Sequence, residues 1–501
     1  MNCFFMNARI LTMDDADTEL GCANVLVRDG RIAAVGPDVQ PPAAQSDIRI
    51  IDASGHLLMP GLINGHFHSP GNLLKGSIAG SPLEIFMLYE VPPLQDTPLP
   101  PRVNYVRTMI GAMEMLRNGI TAVQDDCYHV PIPTRDGIDA IMKAYADSGI
   151  RARVSMDQPN VVEYEKYPFL ADLIPDHIRR EMDDAPRQST AELVDLYRWF
   201  IGRWEGAHGG RIGTAVSCSA PQRVTTEYLA ALNSMSVEFN LPHYIHVLET
   251  RLQRVLGEEK YGKSPVRYLH DQGVLDERCN IIHSIWVDDD DMDLLAASGC
   301  TVAHNPLCNL RLGSGVMPFR RLCDRGIPIC LGSDEAISDD AINMWSVAKS
   351  AGLVHNLADP DYRNWPDAKE ILRCMISGGA RAMLRADQTG IVAPGYDADL
   401  ILLDLDASSF TPLNDLHRQL VYCENGSAVR MTMVAGDIVY ENGHLVGVDE
   451  DAIKAEARDI VAEFASVWSG GQAVIDRLEP YYREMYLKAA KCDVGMNRRL
   501  G

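Results

Sequence analysis

From Leu57 onward, apolar runs of strand length alternate with longer helical stretches, and no other feature limits the possible folds of this chain so strongly. Eight such runs occur: Leu57–His68, Ile120–Asp125, Ile150–Met156, Arg211–Ser217, His243–Val247, Asn280–Ile285, Thr301–His304 and Ile327–Gly332. Parallel strands covered on both faces by crossover helices read as continuous apolar runs. Helical stretches lie between them, for example at Val103–Asn118 and Thr226–Phe239. Eight units in series predict an α/β fold, a closed (β/α)8 TIM-type barrel. A doubly wound sheet is the alternative, but no glycine-rich phosphate turn follows the first run. The segment Tyr164–Arg187, rich in charge and proline, is expected to serve as an active-site lid or an oligomer contact.

Both chain ends read as β structure. Ala8–Met13, Asn24–Arg28 and Ile32–Val35 are apolar or alternating, with Asp29-Gly30 as a hairpin turn between the last two. The pattern returns in Asp397–Leu405, Ala428–Ala435 and Ile438–Tyr440, with a turn at Gly436-Asp437. Pairing of the two ends predicts a small β-sandwich domain. The expected organisation is 1–58 and 385–448 for that domain, 59–384 for the barrel, and 449–501 for a helical extension.

Composition narrows the function classes. With 46 basic and 69 acidic side chains the formal charge is −23, the opposite of the basic footprint of a nucleic-acid binder. No apolar run is long enough to span a bilayer. The 12 cysteines are scattered and never form Cys-x-x-Cys, as expected for reduced thiols in a cytoplasmic protein rather than a disulfide frame. The expected partner is a small-molecule substrate.

The chemistry concentrates at run ends. In Asn64-Gly65-His66-Phe67-His68, residues two apart on a strand project the same way, so His66 and His68 can chelate one transition metal. Alone the pair is weak, since 14 histidines produce roughly 0.4 such pairs by chance. His246 closes the fifth run, His283 ends the sixth, and Asp334 follows the eighth. All occupy the carboxyl face, where such barrels gather catalytic groups. Three histidines and a carboxylate suit one divalent ion, Zn²⁺ first, with Fe²⁺ and Mn²⁺ also compatible. Glu249, three residues past His246, can reach the substrate as a general acid.

The segments Pro60–His68, His246-x-x-Glu249, His283-Ser-Ile-Trp286, His304-Asn-Pro-Leu-Cys-Asn309 through Gly315, and Gly332-Ser-Asp334 together resemble the amidohydrolase superfamily. More narrowly they are similar to its triazine-hydrolase and aminohydrolase branch, which includes S-adenosylhomocysteine and guanine deaminases and s-triazine chlorohydrolases. Ala398-Asp399-Leu400 and Val434-Ala435-Gly436 extend the likeness over nearly the whole chain. The resemblance implies one metal on His66, His68, His246 and Asp334, with His283 beside the attacking water and Glu249 as proton shuttle. It also implies a structural His304 and a homo-oligomer, a dimer or larger.

The chain departs from the nucleoside deaminases of that branch. Pro221-Gln222-Arg223 stands where they carry Pro-His, and Gln95 stands where they carry a ribose-binding glutamate, so an adenosine-like substrate is not expected. Gln95, Gln222, Arg223 and Trp286 are the candidate substrate contacts. Glu84, Glu90 and Glu335 are further mouth candidates that would favour an amine-rich or cationic compound. The expected function is hydrolytic deamination of a small heteroaromatic amine, with Glu249, His283 and Asp334 catalytic. The alternatives are displacement of chloride or alkylamine from a triazine-like ring, cleavage of a urea or amide C–N bond, or a non-catalytic barrel scaffold.

Overall fold

The computed structural model describes residues 2–41, 48–339 and 341–499. The chain opens with β1 (Cys3–Leu11), β2 (Glu19–Arg28), β3 (Arg31–Gly36), β4 (Arg49–Asp52) and β5 (His56–Pro60). Ten short parallel segments follow: β6 (Leu62–His68), β7 (Ile120–Tyr128), β8 (Arg151–Asp157), β9 (Ile212–Thr214), β10 (Val216–Ser217), β11 (His243–Val247), β12 (Cys279–His283), β13 (Thr301–His304), β14 (Ile329–Leu331) and β15 (Asp334–Glu335). The last strands are β16 (Leu400–Asp404), β17 (Val429–Val434), β18 (Asp437–Glu441) and β19 (His444–Leu445).

The parallel strands form two five-stranded sheets, β15-β6-β7-β8-β9 and β10-β11-β12-β13-β14. Two of the expected continuous runs are interrupted where they change partners. Arg211–Ser217 breaks at Ala215, whose N–H turns to Val154 O at 2.8 Å, so β9 pairs with β8 and β10 with β11. The eighth run breaks after Leu331, so β14 pairs with β13 and β15 with β6. Asn64 of β6 ties this break to the first strand: its Nδ2 donates to Ser333 Oγ at 2.8 Å, and its Oδ1 accepts from Ser333 N at 3.0 Å.

The run Leu57–His68 is two strands rather than one. Gly61 N donates to Asp399 O at 3.0 Å, which ends the first piece against the returning C-terminal chain. Only β6 joins the parallel strands, while β5 pairs antiparallel with β16. Both chain ends meet in one nine-stranded sheet, ordered β19-β18-β17-β16-β5-β1-β2-β3 with β4 beside β1. Its side chains alternate. Leu58, Leu400, Leu402, Met431 and Met433 enter this sheet's own core, while Leu57, Met59, Ile401, Leu403 and Val429 pack into the main core.

The hairpin expected at Asp29-Gly30 has positive φ at both residues, the type I′ pattern. The second turn centres on Ala435-Gly436 (φ 49° and 79°), one residue before the expected Gly436-Asp437. The two turns touch. A Cβ on Gly436 would lie 2.7 Å from Gly30 Cα, so only glycine permits the approach.

Helices Pro101–Arg117 and Thr226–Phe239 agree with the periodicity; Thr225 caps the second, accepting from Tyr228 N. The tail is one helix, Glu450–Ala489, packed on Leu83–Glu90, Pro101–Arg117 and Arg251–Tyr261. No helix among the described residues is long and apolar enough to cross a membrane.

A buried ion pair clamps the nine-stranded sheet to the parallel strands. Arg151, which opens β8, donates from Nε and Nη2 to the two oxygens of Asp399 at 2.8 and 3.0 Å. Asp399 also accepts from Ala435 N and Thr389 Oγ1. Burial alone would raise this carboxyl, but Arg151 holds it below the usual range. Its stabilisation is present above the unfolded carboxylate pKa and is lost as pH falls through the depressed folded value. Asp399→Ala leaves the buried Arg151 guanidinium with Asp397 alone, at 3.0 Å, and is expected to cost about 3 kcal/mol, read as a drop in the denaturation midpoint. An unchanged midpoint at pH 7 would contradict the clamp.

Candidate metal centre and active site

The carboxyl ends of β6, β7, β8, β11, β12 and β15 converge on one cavity. Several of these ends are kinked: Ser219, Leu248, His283, Ser284 and Asp334 all have positive φ between 50° and 72°. Non-glycine residues adopt this region at a cost, and such strain clusters at functional sites. Gly332 lets the eighth strand approach β6, since a Cβ there would lie 2.8 Å from both the Cβ and the carbonyl oxygen of His66.

Four imidazoles gather here, three of them buried and that of His246 partly exposed. The His66 ring centroid lies 4.7 Å from that of His68, 4.9 Å from His246 and 6.1 Å from His283. Their protonation follows from their partners. His68 Nδ1 donates to the carbonyl of Asp126, and His246 Nδ1 donates to the carbonyl of Ser219 at 2.8 Å. Both Nε2 atoms are therefore lone-pair acceptors, yet they face each other at 3.3 Å. Two lone pairs at that distance repel unless a cation lies between them. Nitrogens roughly 2.0–2.1 Å from a tetrahedrally bound ion lie about 3.3–3.4 Å apart.

Other orphan atoms agree. Neither ring nitrogen of the fully buried His66 has a hydrogen-bond partner, and Asp334 Oδ2 has none. Asp334 Oδ1 lies 3.4 Å from His66 Nε2 and 3.6 Å from His68 Nε2. The donor atoms of His66, His68 and His246 lie within 4.8 Å of one another, as do those of His66, His283 and Asp334, so either group could hold a metal ion.

His283 differs from the other three. Its Nδ1 accepts from Asn309 Nδ2 at 2.9 Å, which leaves the ring proton on Nε2. That Nε2–H faces Glu249 Oε2 at 3.5 Å and Asp334 Oδ2 at 3.7 Å. A protonated nitrogen cannot ligate, but it can pass or share a proton between the two carboxylates. Ser314 Oγ donates to Glu249 Oε1 at 3.3 Å, and Gln253 Oε1 accepts from Glu249 N at 2.8 Å. Glu249 thus has one oxygen held and the other aimed at His283.

The electrostatics differ from group to group. Burial, then the charges of Asp334 and Glu84, push the Glu249 carboxyl well above its ordinary value, which favours its protonated form. Burial alone would raise Asp334 too, but His66, then His283 and His68, hold it far below the carboxylate range. Burial lowers His68 to about 3 and His283 to about 4, keeping both rings neutral, as ligands and neutral donors must be.

The candidate substrate contacts are placed differently from one another. Arg223 and Gln95 line the cavity. Gln222 is buried in an adjoining recess with Glu84, and its carbonyl accepts from Lys260 Nζ at 3.3 Å. Trp286 is fully buried in the main core; its Nε1 donates to Ser314 O at 2.8 Å, so it reaches the site only through the residue that holds Glu249. His304 lies outside the metal-competent groups and meets His355, Nε2 to Nε2, at 3.0 Å. The Tyr164–Arg187 segment contributes Lys166, Tyr167, Met182 and Arg187 to the cavity wall.

Several site residues carry no signal by residue pattern. Asp126 orients His68 through its carbonyl, and its Oδ2 lies 3.6 Å from His246 Nδ1. Asp157 and Tyr128, at the ends of β8 and β7, line the cavity. The doubled Asp125-Asp126 at the end of β7 was the available hint. Asn309, which sets the His283 tautomer, sits in the quoted His304–Asn309 motif.

A profile of the amidohydrolase family matches residues 57–439. A 5-methylthioadenosine/S-adenosylhomocysteine deaminase from Nitratidesulfovibrio vulgaris is 32% identical, covering 90% of this chain and 95% of that one. A 5'-deoxyadenosine deaminase from Methanosarcina mazei is 28% identical over 92% of this chain and 98% of its own. Among solved structures, a zinc-bound adenosine deaminase from Xanthomonas campestris superposes with TM-score 0.79 at 24% identity, covering 96% and 99% of the two chains. Atrazine chlorohydrolase from Arthrobacter aurescens, complexed with zinc, gives 0.78 at 24% identity, covering 92% of this chain and 100% of its own. The structural likeness shows the fold, a TIM-type barrel with an additional domain. The chain belongs to the amidohydrolase family, and it is a metal-dependent hydrolase of that class.

The neutral histidines set a pH dependence. Their folded pKa values lie below the unfolded value of about 6.5, so their stabilisation is complete above that pH and is lost as pH falls toward about 3 or 4. Metal-free protein is expected to lose denaturation midpoint steadily below about pH 6.5. A midpoint that stays flat down to pH ~4.5 would contradict neutral burial.

Proposed function

We propose that the protein is a hydrolytic deaminase of a small heteroaromatic amine, using one divalent ion, zinc first, held by His66, His68, His246 and Asp334. The observation that carries the metal assignment is the pair of acceptor Nε2 atoms at 3.3 Å, each ring locked by a backbone carbonyl. The reaction class is supported by relatives named as deaminases that align over nine-tenths of the chain. When bound, such an ion supplies Lewis-acid activation of the attacking water, lowering its pKa from about 16 toward about 7.

The protein groups then divide the proton traffic. Asp334 Oδ2, unpartnered and 3.7 Å from His283 Nε2, takes the water's proton. The His283 Nε2–H, fixed by Asn309, stabilises oxyanion charge at the attacked carbon and bridges toward Glu249. Glu249, whose carboxyl burial pushes up, donates its proton to a ring nitrogen, regains through His283 the proton that Asp334 took from the water, and passes that one to the departing amine. Arg223 and Gln95 contact the substrate from the cavity wall; Gln222 and Trp286 act from behind it.

The organisation that goes with this assignment is a closed (β/α)8 barrel at 59–384, a small β-sandwich from 1–58 and 385–448, and a helical extension at 449–501. The strand-four and strand-eight partner switches support closure. The partner is a small molecule rather than nucleic acid or membrane. A cytoplasmic location is supported by 12 unpaired cysteines, and a homo-oligomer by the exposed apolar side chains Leu353, Leu357, Tyr362 and Trp365.

Two measurements test this function. Elemental analysis is expected to give about one divalent ion per chain, and chelation is expected to abolish ammonia release from a panel of aminated purines, pyrimidines, pterins and triazines until Zn²⁺ is restored. No ammonia from any member by loaded enzyme would overturn deamination. Glu249→Gln is expected to lower kcat by roughly 10²–10⁴-fold with metal content unchanged. Loss of metal in that variant would move Glu249 from proton shuttle to ligand support.

A further inference from the structure

Beside the histidines, the same cavity is lined by a second pair of carboxylates, Glu90 and Glu335. Glu90 lies in the helix Leu83–Glu90, and Glu335 follows Asp334 on β15, in register with His68 of β6. Both are at least nine-tenths buried, at 9% and 3% exposure, and their carboxyl groups adjoin each other near Tyr128. The other acids of the wall have partners. Glu163 pairs with Lys166 at 2.7 Å and accepts from Tyr482, while the field of Arg223 reaches Asp157 and Glu90 alike. Among the described residues, no lysine or arginine nitrogen lies within ion-pair distance of Glu90 or Glu335, and Glu335 Oε2 meets no protein donor.

Two adjoining buried carboxylates without a cation form an unfinished ion-pair site. Pro92, Pro93, Met87 and Pro131 of the same wall supply no charge, and among the described residues its basic side chains, Lys166, Arg187 and Arg223, make no ion pair with either acid. A neutral diol needs only one carboxylate acceptor, whereas a charged nitrogen with two or three N–H groups satisfies both acids at once. We propose that Glu90 and Glu335 form a subsite for a positively charged nitrogen, ammonium or amidinium, carried as a second group on the ring amine that reacts at the metal centre. The inference rests on the deaminase assignment above and supplies its substrate class: a cationic heteroaromatic amine. Tyr128, whose ring lies 5.9 Å from that of His68, spans the two ends of the site.

The test uses the zinc-loaded full chain and a matched pair of probes, an aminopyrimidine carrying an aminomethyl arm and its neutral hydroxymethyl twin, with adenosine as a diol probe. Affinity is read by calorimetry and ammonia release is read separately, so failure to deaminate a bound probe counts against the deaminase assignment alone. The cationic probe is expected to bind at least about tenfold more tightly than its twin. Glu90→Gln and Glu335→Gln are each expected to remove most of that advantage while leaving the affinity of the neutral twin unchanged, which also reports that the variants fold. Equal affinity for the two probes, binding of neither, or a preference that survives both substitutions would overturn the subsite. Tighter binding of adenosine, lost in Glu90→Gln, would overturn it in favour of a diol site.

Discussion

The contact between His68 Nε2 and His246 Nε2 organises much of what surrounds it. Each ring has its proton committed to a backbone carbonyl, and that commitment turns two acceptor lone pairs toward one point. Such an arrangement is unfavourable in isolation and favourable around a cation, so the surrounding structure must hold it against its own repulsion. It does so with strand ends kinked at Ser219 and Asp334, with a glycine at 332 that admits the eighth strand, and with Asn64 stitching that strand to the first. Ligand orientation by outer partners is how metal sites fix tautomer and basicity.

Around this point the proton-handling groups are graded by environment. Burial and neighbouring acids push the Glu249 carboxyl up, while the imidazoles around Asp334 hold that carboxyl down. Carboxyls pushed in opposite directions by their environments are the general means by which a site separates an acid from a base at one pH. Trp286 contributes at one remove, since it fixes Ser314 and Ser314 fixes Glu249. The clamp of Arg151 on Asp399 plays the corresponding part at the other end of the barrel strands, where it joins two chain ends almost four hundred residues apart in sequence to the parallel core.

Much of this was legible in the sequence. The alternation of apolar runs marked where the parallel strands lie, because burial on both faces makes such strands largely apolar, and the helices between them kept their predicted limits to within a residue or two at Thr226–Phe239 and Pro101–Arg117. The breaks at Ala215 and Gly332 were not legible. They arise where a strand exchanges one neighbour for another, and nothing in the local residue pattern marks that exchange. The run Leu57–His68 was misread as one strand for the same reason: its two halves have equally apolar residues but different partner sheets. Trp286 and Gln222, both beside motif residues, point away from the cavity because side-chain direction on a loop follows from packing rather than from position in a motif.

The sequence by itself determined the family and singled out the histidines and acids that the fold gathers around one cavity, because residue type and strand-end position are local properties. Only the tertiary structure decided which nitrogen of each histidine is free, which oxygen of Asp334 is unpartnered, and that Glu90 meets Glu335. Each of these depends on a partner from another strand or helix: Ser219 for His246, Asp126 for His68, Asn309 for His283. Hydrogen-bond direction and charge balance are set by what lies across the cavity, and the chain supplies that only once it has folded.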